Sequence, residues 1–472
     1  MRSKTSLALA VLLAAAAPTA GQQHEPTPYE RAIAAGYKAL TLCSGIFNAG
    51  RSQAQIEALE LTGIYPEYDA IVPTLSAEVR SFRTEPGAQR SPPAVWAGEV
   101  SVRFTESLAP RIARWHVNDG CTILPIGDPG NEGPGMLRVW GSPTPVAGSM
   151  DGQQWPIGDR DATATAPPAL AAPIARAFDG RSYGAGRTTG VVIVHNGRIL
   201  GEHYAEGFGM HVSQRTWSVA KSISGTLIGI AVRDHLLFTQ RRVAVPEWND
   251  FRGNIRLDDL LRMASGLHSA TAGNRTDAVY FGGTTVTQEA GYWPLEAQPG
   301  TRFRYANSDI LLAIRALRAA INNDERYHAF PRTQLFAPLG MTRTVAETDW
   351  DGNFILSSQV WSTARDLARL GQFWLDDGVW QGRRILPEGW MRYMTTPSGP
   401  QPATGPGYGA TMWLFGPAQG LPAGSYAAQG NRGQYAMVVP SRHLIVVRRG
   451  EDGGDMRFDI ARFTADVMAA LP

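Results

Sequence analysis

Ser218 and Lys221 stand three residues apart in Trp217-Ser218-Val219-Ala220-Lys221-Ser222. On a helix that spacing puts both side chains on one face. A hydroxyl beside an amine is the arrangement of a serine nucleophile with a lysine as its base. The lysine is informative because the chain has so few. Lys4, Lys38 and Lys221 are the only lysines among 44 basic residues. Arginine keeps its charge in proteins and cannot abstract a proton, whereas a buried lysine loses its charge readily. The same pair also fits a helix-capping serine followed by a lysine whose ammonium snorkels to water.

The element carrying this pair must be a buried helix. Residues 219–237 are apolar on nearly every side, as expected of a helix in the centre of a domain. Ser218 falls in its first turn, where free N–H groups and the positive end of the helix dipole favour a developing anion. Low-dielectric surroundings would lower the pKa of Lys221.

Around that helix the chain divides into four stretches. Residues 1–21 read as a signal peptide: Arg2 and Lys4, a short apolar run over 7–17, then small residues. The run is too short to span a bilayer. Residues 22–140 form an N-terminal accessory region, with a helix expected over 29–42 and a strand over 98–104. Residues 141–173, rich in Gly, Pro, Ser and Ala, read as a linker or a surface crossing. Residues 174–472 form the remaining region. It opens on a hairpin turned by Asn196-Gly197 between apolar strands, and it ends with strands over 435–439 and 444–448 and a helix over 456–471. Strands at both ends with helices between them predict an α/β (α+β) fold. One antiparallel sheet is flanked by helices, and a helical subdomain is carried in the middle.

Charge and cysteines narrow the setting. Without Arg2 and Lys4 the 44 basic residues become 42, equal to the 42 acidic ones. Nothing in that balance suggests nucleic acid or an anionic membrane surface as a partner. Export and no membrane insertion after signal cleavage are expected, with a periplasmic or secreted location. Cys43 and Cys121, the two cysteines of the chain, read as a disulfide in an exported protein, or otherwise as two buried thiols. No metal or other cofactor is expected, since there is neither a Cys-x-x-Cys nor a histidine cluster.

Further motifs carry a resemblance. Residues 257–267 read Leu-Asp-Asp-Leu-Leu-Arg-Met-Ala-Ser-Gly-Leu. Residues 299–308 hold Tyr305-Ala306-Asn307, and Ser362-Thr363-Ala364-Arg365-Asp366 follows, with the 382–390 stretch after it. Together with Ser218-x-x-Lys221, and in this order, they resemble the serine β-lactamase and penicillin-binding-protein superfamily. The likeness is greatest to its class C-like branch of esterases, D-stereospecific peptidases and 6-aminohexanoate-dimer hydrolases. The resemblance covers about 280 residues from Gly190 onward. It implies a β-lactamase/transpeptidase-like fold and an acyl-enzyme on Ser218. Tyr305 would then lie beside Lys221, made more easily ionised by the ammonium, and move protons. Asn307 would hold Lys221 or a substrate carbonyl.

The third motif departs from the family pattern. Penicillin-recognising relatives carry a basic residue on the strand beside the serine, and here Ala428 stands in that place. Gly430 lets substrate approach the strand backbone, and a backbone N–H at Asn431 would pair with that of Ser218 as an oxyanion hole. Arg432 supplies a displaced positive charge for substrate, or else is a solvated loop residue. No Gly-x-Ser-x-Gly accompanies the histidines, and His268 reads as a loop residue that could line the site.

The leading reading is an exported serine hydrolase acting on small-molecule esters or linear amides. A β-lactamase or D-alanyl-D-alanine carboxypeptidase is the second reading. A non-catalytic protein that binds cell-wall fragments is the third. Residues 27–140 would cap the site or only buttress it. The loops 266–293 and 395–407 would set selectivity.

Overall fold

The computed structural model describes residues 25–81, 98–117, 119–130, 148–269 and 276–471. The expected leader and the start of the 141–173 segment lie outside them.

The N-terminal helix α1, Pro28–Phe47, begins with Thr27 and Glu30 capping each other's backbone N–H groups and Pro28 in the first turn. It runs five residues past the expected end because it is apolar on every side and everything from Ala32 to Gly45 is buried. It packs on an antiparallel four-stranded sheet: β1 Ala77–Ser81, β2 Gly98–Val102, β3 Arg111–His116 and β4 Gly120–Ile123. Its other side meets the rest of the protein. A Cβ on Gly36 would lie 2.0 Å from the carbonyl oxygen of Phe281, so only glycine fits there. The largest apolar cluster accordingly runs without interruption from α1 into the C-terminal region. Cys43 on α1 and Cys121 on β4 are joined in a disulfide.

The main sheet has seven strands, each antiparallel to its neighbours. In chain order they are β5 Thr188–His195, β6 Arg198–Tyr204, β7 Gly407–Tyr408, β8 Trp413–Phe415, β9 Ser425–Gly430, β10 Gln434–Val439 and β11 Leu444–Gly450. Their spatial order is β7-β8-β9-β10-β11-β5-β6, so the first hairpin is added to the edge made by the last strand. The Asn196-Gly197 turn has positive φ at both residues, as a two-residue hairpin turn requires.

Alternation along β5 explains the layers. Val191 and Ile193 face one cluster, shared with Phe463 and Val467 of the final helix. Val192 and Val194 face the other, shared with the central helices. The final helix, Ile460–Ala469, is shorter than expected because the Asp459 side chain caps it at that point.

Between β6 and β7 lie the helices that hold the chemistry. They include α2 Val219–Arg233, α3 Asn307–Ile321 and α4 Ala364–Leu375. The central helix α2 stops at Arg233, four residues short of the apolar run, because His235 adopts positive φ and turns the chain. A small three-stranded sheet, Gln214–Arg215 with Val360–Ser362 and Val345–Ala346, fixes the chain entering α2 beside the 357–358 segment. Among the described residues, no helix is long and apolar enough to cross a membrane.

Candidate active site

Ser218 caps the N-terminus of α2 by position, but its side chain makes no capping hydrogen bond. The hydroxyl is turned instead to Lys221, 3.0 Å from its Nζ. The residue before it, Trp217, is held at φ +51°, a left-handed conformation costly for a bulky residue. The strained loop exposes Ser218 while the helix behind it stays buried.

Lys221 is 1% exposed. Besides Ser218, its Nζ donates to Asn307 Oδ1 at 2.6 Å and to the Ser357 carbonyl at 2.9 Å. Burial lowers its pKa from 10.5 to about 7. No carboxylate among the described residues pairs with it, so nothing offsets the desolvation of the ammonium. Both carbonyl oxygens can only accept. A neutral amine has two protons, one for each of them, and its lone pair is then left for the Ser218 hydroxyl proton. Lys38 is in a different setting, donating to the Leu75 carbonyl and paired with Glu57.

Tyr305 ends the segment that leads into α3, and Asn307 is the first residue of that helix. The Tyr305 ring faces Lys221 Nζ at 5.0 Å from its centroid and packs against Trp413 and Tyr408. The expected easy ionisation is not found. Burial pushes the Tyr305 pKa up, and only a hydrogen bond with Ser218 works against it. The amine meets the ring face rather than forming an ion pair at the hydroxyl, and the same burial discharges the amine. Tyr305 therefore keeps its proton at neutral pH, whereas the Lys221 amine loses its own readily.

The third motif lies on β9. Gly430 ends that strand against the backbone of Ser218, and Asn431 follows it beside the cleft. Arg432 departs from both readings, as a cation for substrate and as a solvated arginine. It is 5% exposed, its Nε donates to Glu451 at 2.8 Å, and its Nη atoms donate to the carbonyls of Leu59, Thr62 and Gly63. A φ of +56° turns it away from the strand direction. It ties the N-terminal region to the sheet and does not line the cleft. His268 is likewise engaged elsewhere, with Glu296.

The cleft over Ser218 has a volume of about 690 Å³. Ser218, Tyr305, Asn307, Gly430 and Asn431 share it with residues that the motifs did not single out. Trp217, Tyr280 and Trp413 form aromatic walls, Gln429 and Ser358 add polar groups, and Arg457 stands near the end of the chain. Tyr65 and Glu67 come from the N-terminal region, which thus contributes to the cleft wall. Of the two expected selectivity loops, 266–293 supplies Tyr280. Among the described lining residues, none comes from 395–407. Sequence signals for these residues are weak, since single aromatics and serines carry no spacing pattern.

One grouping of metal-capable side chains occurs among the described residues, Asp151, Asp159 and His211. Its carboxylates are already paired. Asp151 accepts from Arg343 and Asp159 from Arg369, each at 2.7 Å, and His211 meets Asp159 at 2.9 Å. That is the pattern of a charge network rather than a cation cage.

The fold and this constellation define a β-lactamase-type hydrolase scaffold. A family model described as Beta-lactamase matches residues 174–465, and the chain belongs to that family. Among curated proteins it is 27% identical over 263 residues to a 6-aminohexanoate-dimer hydrolase from Paenarthrobacter ureafaciens. That alignment covers 51% of this chain and 63% of the relative, somewhat less than two thirds of its length. Among solved structures, a putative 6-aminohexanoate-dimer hydrolase from Bacillus anthracis superposes with a TM-score of 0.53 at 20% identity, covering 63% of this chain and 80% of that one. A family VIII carboxylesterase superposes with a TM-score of 0.53 at 13% identity, covering 66% and 99%. At these identities the superpositions establish the shared fold.

Proposed function

We propose that the protein is an exported serine hydrolase that cleaves small esters or linear amides through an acyl-enzyme on Ser218. The observation that carries this reading is the Lys221 amine. It is buried, discharged near neutral pH, and held by two carbonyl acceptors so that its lone pair meets the Ser218 hydroxyl.

In the first step Lys221 takes the Ser218 proton as Oγ bonds to the substrate carbonyl carbon. The oxyanion is received by the backbone N–H groups of Ser218 and Asn431, at the positive end of α2. Tyr305, protonated and hydrogen-bonded to Ser218, gives its proton to the leaving alcohol or amine, and a water in the cleft carries the Lys221 proton back to it. The carbonyl–leaving-group bond breaks and the acyl-enzyme forms. Water then attacks the acyl carbon as Lys221 takes its proton, the acyl carbon–Oγ bond breaks, Lys221 returns the proton to Ser218 Oγ, and the acid is released. Asn307 and the Ser357 carbonyl orient the amine throughout.

Esters and linear amides are favoured over β-lactams and D-alanyl peptides because Ala428 replaces the strand cation and Arg432 is committed to Glu451. The similarity to a 6-aminohexanoate-dimer hydrolase and to a carboxylesterase supports the same choice. The leader pattern and the Cys43–Cys121 disulfide support export to an oxidising compartment. The cleft suits a small-molecule partner, and the even charge balance supports neither nucleic acid nor an anionic membrane surface. Hydrolysis of p-nitrophenyl butyrate by the protein and by Ser218→Ala tests the proposal. Turnover that disappears in the variant is expected, and equal turnover in both would refute the nucleophile.

A further inference from the structure

Arg215 lies directly behind the cleft. It is 7% exposed, and among the described residues no carboxylate reaches ion-pair distance of its guanidinium. Its Nε has no hydrogen-bond partner. One face stacks on the Trp217 indole, 3.7 Å from the ring centroid, and its Nη2 donates to Ser358 Oγ at 2.8 Å. The carboxylate whose charge reaches Arg215, Glu347, makes no ion pair with it and instead accepts from Ser44, Asn48 and the Cys121 N–H. A buried guanidinium without an ion-pair partner is costly. A stacked indole offsets only part of that cost.

Ser358 transmits this charge to the cleft. It is 2% exposed yet lines the cavity beside Ser218. Its oxygen accepts from Arg215, so its own proton has to be donated elsewhere. Among the described residues no acceptor takes it. A hydroxyl that accepts from a cation is also a stronger donor. Gln429 adds a second unmet donor to the same cavity, since its Nε2 is buried without a partner. The charged groups at the cleft, Glu67 and Arg457, are both exposed and opposite in sign, so they offset each other and are screened by salt. The buried polarity of the cleft is therefore that of donors backed by a positive charge, with an acceptor missing.

We propose that Ser358, backed by Arg215 and joined by Gln429, forms a carboxylate-binding subsite, so that the preferred esters or amides carry a free carboxylate. The inference rests on the hydrolase reading of this cleft. Ser358 and Arg215 lie outside the motif strand, Gln429 stands on it next to Gly430, and the buried arginine gains a role that the reaction itself does not give it.

Calorimetric binding of hexanoate and of its uncharged isostere hexanamide, at low ionic strength, tests it without relying on turnover. In the unaltered protein hexanoate should bind about tenfold or more tightly than hexanamide, the usual range for a charged hydrogen bond. Ser358→Ala should bring the two affinities together, and Arg215→Gln should do the same while keeping a side chain of similar bulk. Melting curves identify a variant that has unfolded, and Ser358→Ala, the smaller change, decides if Arg215→Gln does so. Equal binding in the unaltered protein, no binding of hexanoate, or a preference that persists in Ser358→Ala would overturn the subsite. Hydrolysis of p-nitrophenyl butyrate in the same preparations separates the two readings. Ser218-dependent turnover without a carboxylate preference removes only the subsite. Carboxylate binding without Ser218-dependent turnover removes only the hydrolase.

Discussion

Gly430 lies so close to the loop before α2 that a Cβ on it would sit 3.1 Å from the backbone nitrogen of Ser218 and 2.3 Å from the carbonyl oxygen of Thr216. The end of β9 and the start of α2 therefore meet backbone to backbone. This contact sets the space in which an oxyanion would be held. Gly430→Ala should push the two segments apart. Overpacking of this kind costs about 1–3 kcal/mol in stability, and loss of one oxyanion donor costs about 10²–10³-fold in kcat. Thermal melting and ester kinetics on the variant check both, and normal kcat would separate this contact from the chemistry.

Lys221 sets the pH dependence. Its pKa is lowered from 10.5 to about 7 by burial, so the base form fills as pH rises through that value. kcat/KM should climb with an apparent pKa near 7 and level off. Any fall should come only at strongly alkaline pH, because burial raises Tyr305. Stability carries the same sign. Between about pH 7 and 10.5 the unfolded chain holds the proton and the folded protein has released it, so the unfolding free energy rises with pH across that window. Lys221→Met should remove this rise and cut turnover by about 10³-fold or more. Lys221→Arg should be as inactive, since a guanidinium cannot act as the base.

Tyr305 holds its proton, so Tyr305→Phe keeps the ring against Trp413 and removes only the donor. Turnover should fall by about 10²–10⁴-fold, with little change in melting temperature. The loss should be greater for amides than for p-nitrophenyl esters, whose phenolate departs without a proton. Equal losses on both substrates would speak against a role in leaving-group protonation.

Arg432 is predicted to matter for stability and not for substrate. Arg432→Met leaves Glu451 buried without its partner and frees three backbone carbonyls of the 59–63 segment. Breaking a buried pair in this way costs about 3–5 kcal/mol. The melting temperature should drop by several degrees while KM for esters in the folded protein is unchanged. A raised KM at unchanged stability would restore the role in substrate binding.

The Cys43–Cys121 bridge closes a loop of 78 residues, and a loop of that length corresponds to about 4 kcal/mol of chain-entropy stabilisation. Reduction under mild denaturant, followed by circular dichroism, should shift the unfolding midpoint downward by a corresponding amount. A midpoint indifferent to reductant would show that the packing of α1 on its sheet is sufficient alone.

Local patterns in the sequence determined what local geometry controls. The spacing of Ser218 and Lys221 places them on one helical face, and the structure has them 3.0 Å apart. Asn196-Gly197 specifies a hairpin because that turn needs positive φ at both positions. The continuous apolar run ahead of Asn196-Gly197 specifies a strand, and the structure buries it on both faces. Tyr305 and Asn307 were legible only as part of an ordered motif set, and the structure brings both beside Lys221. What burial controls was decided by the tertiary structure alone. The lone pair of Lys221 is aimed by the Ser357 carbonyl, 136 residues away, which no spacing rule reaches. Tyr305 keeps its proton because the elements that enclose it remove water from ammonium and phenol alike. Arg432 has the composition of a loop cation, yet it is folded inward because Glu451 and three carbonyls of the N-terminal region converge on it. Tyr65 and Glu67 join the cleft for the same reason. α1 is buried on all sides, which carries the N-terminal region up to the active-site wall, and side-chain environment depends on such long-range packing rather than on neighbours in the chain.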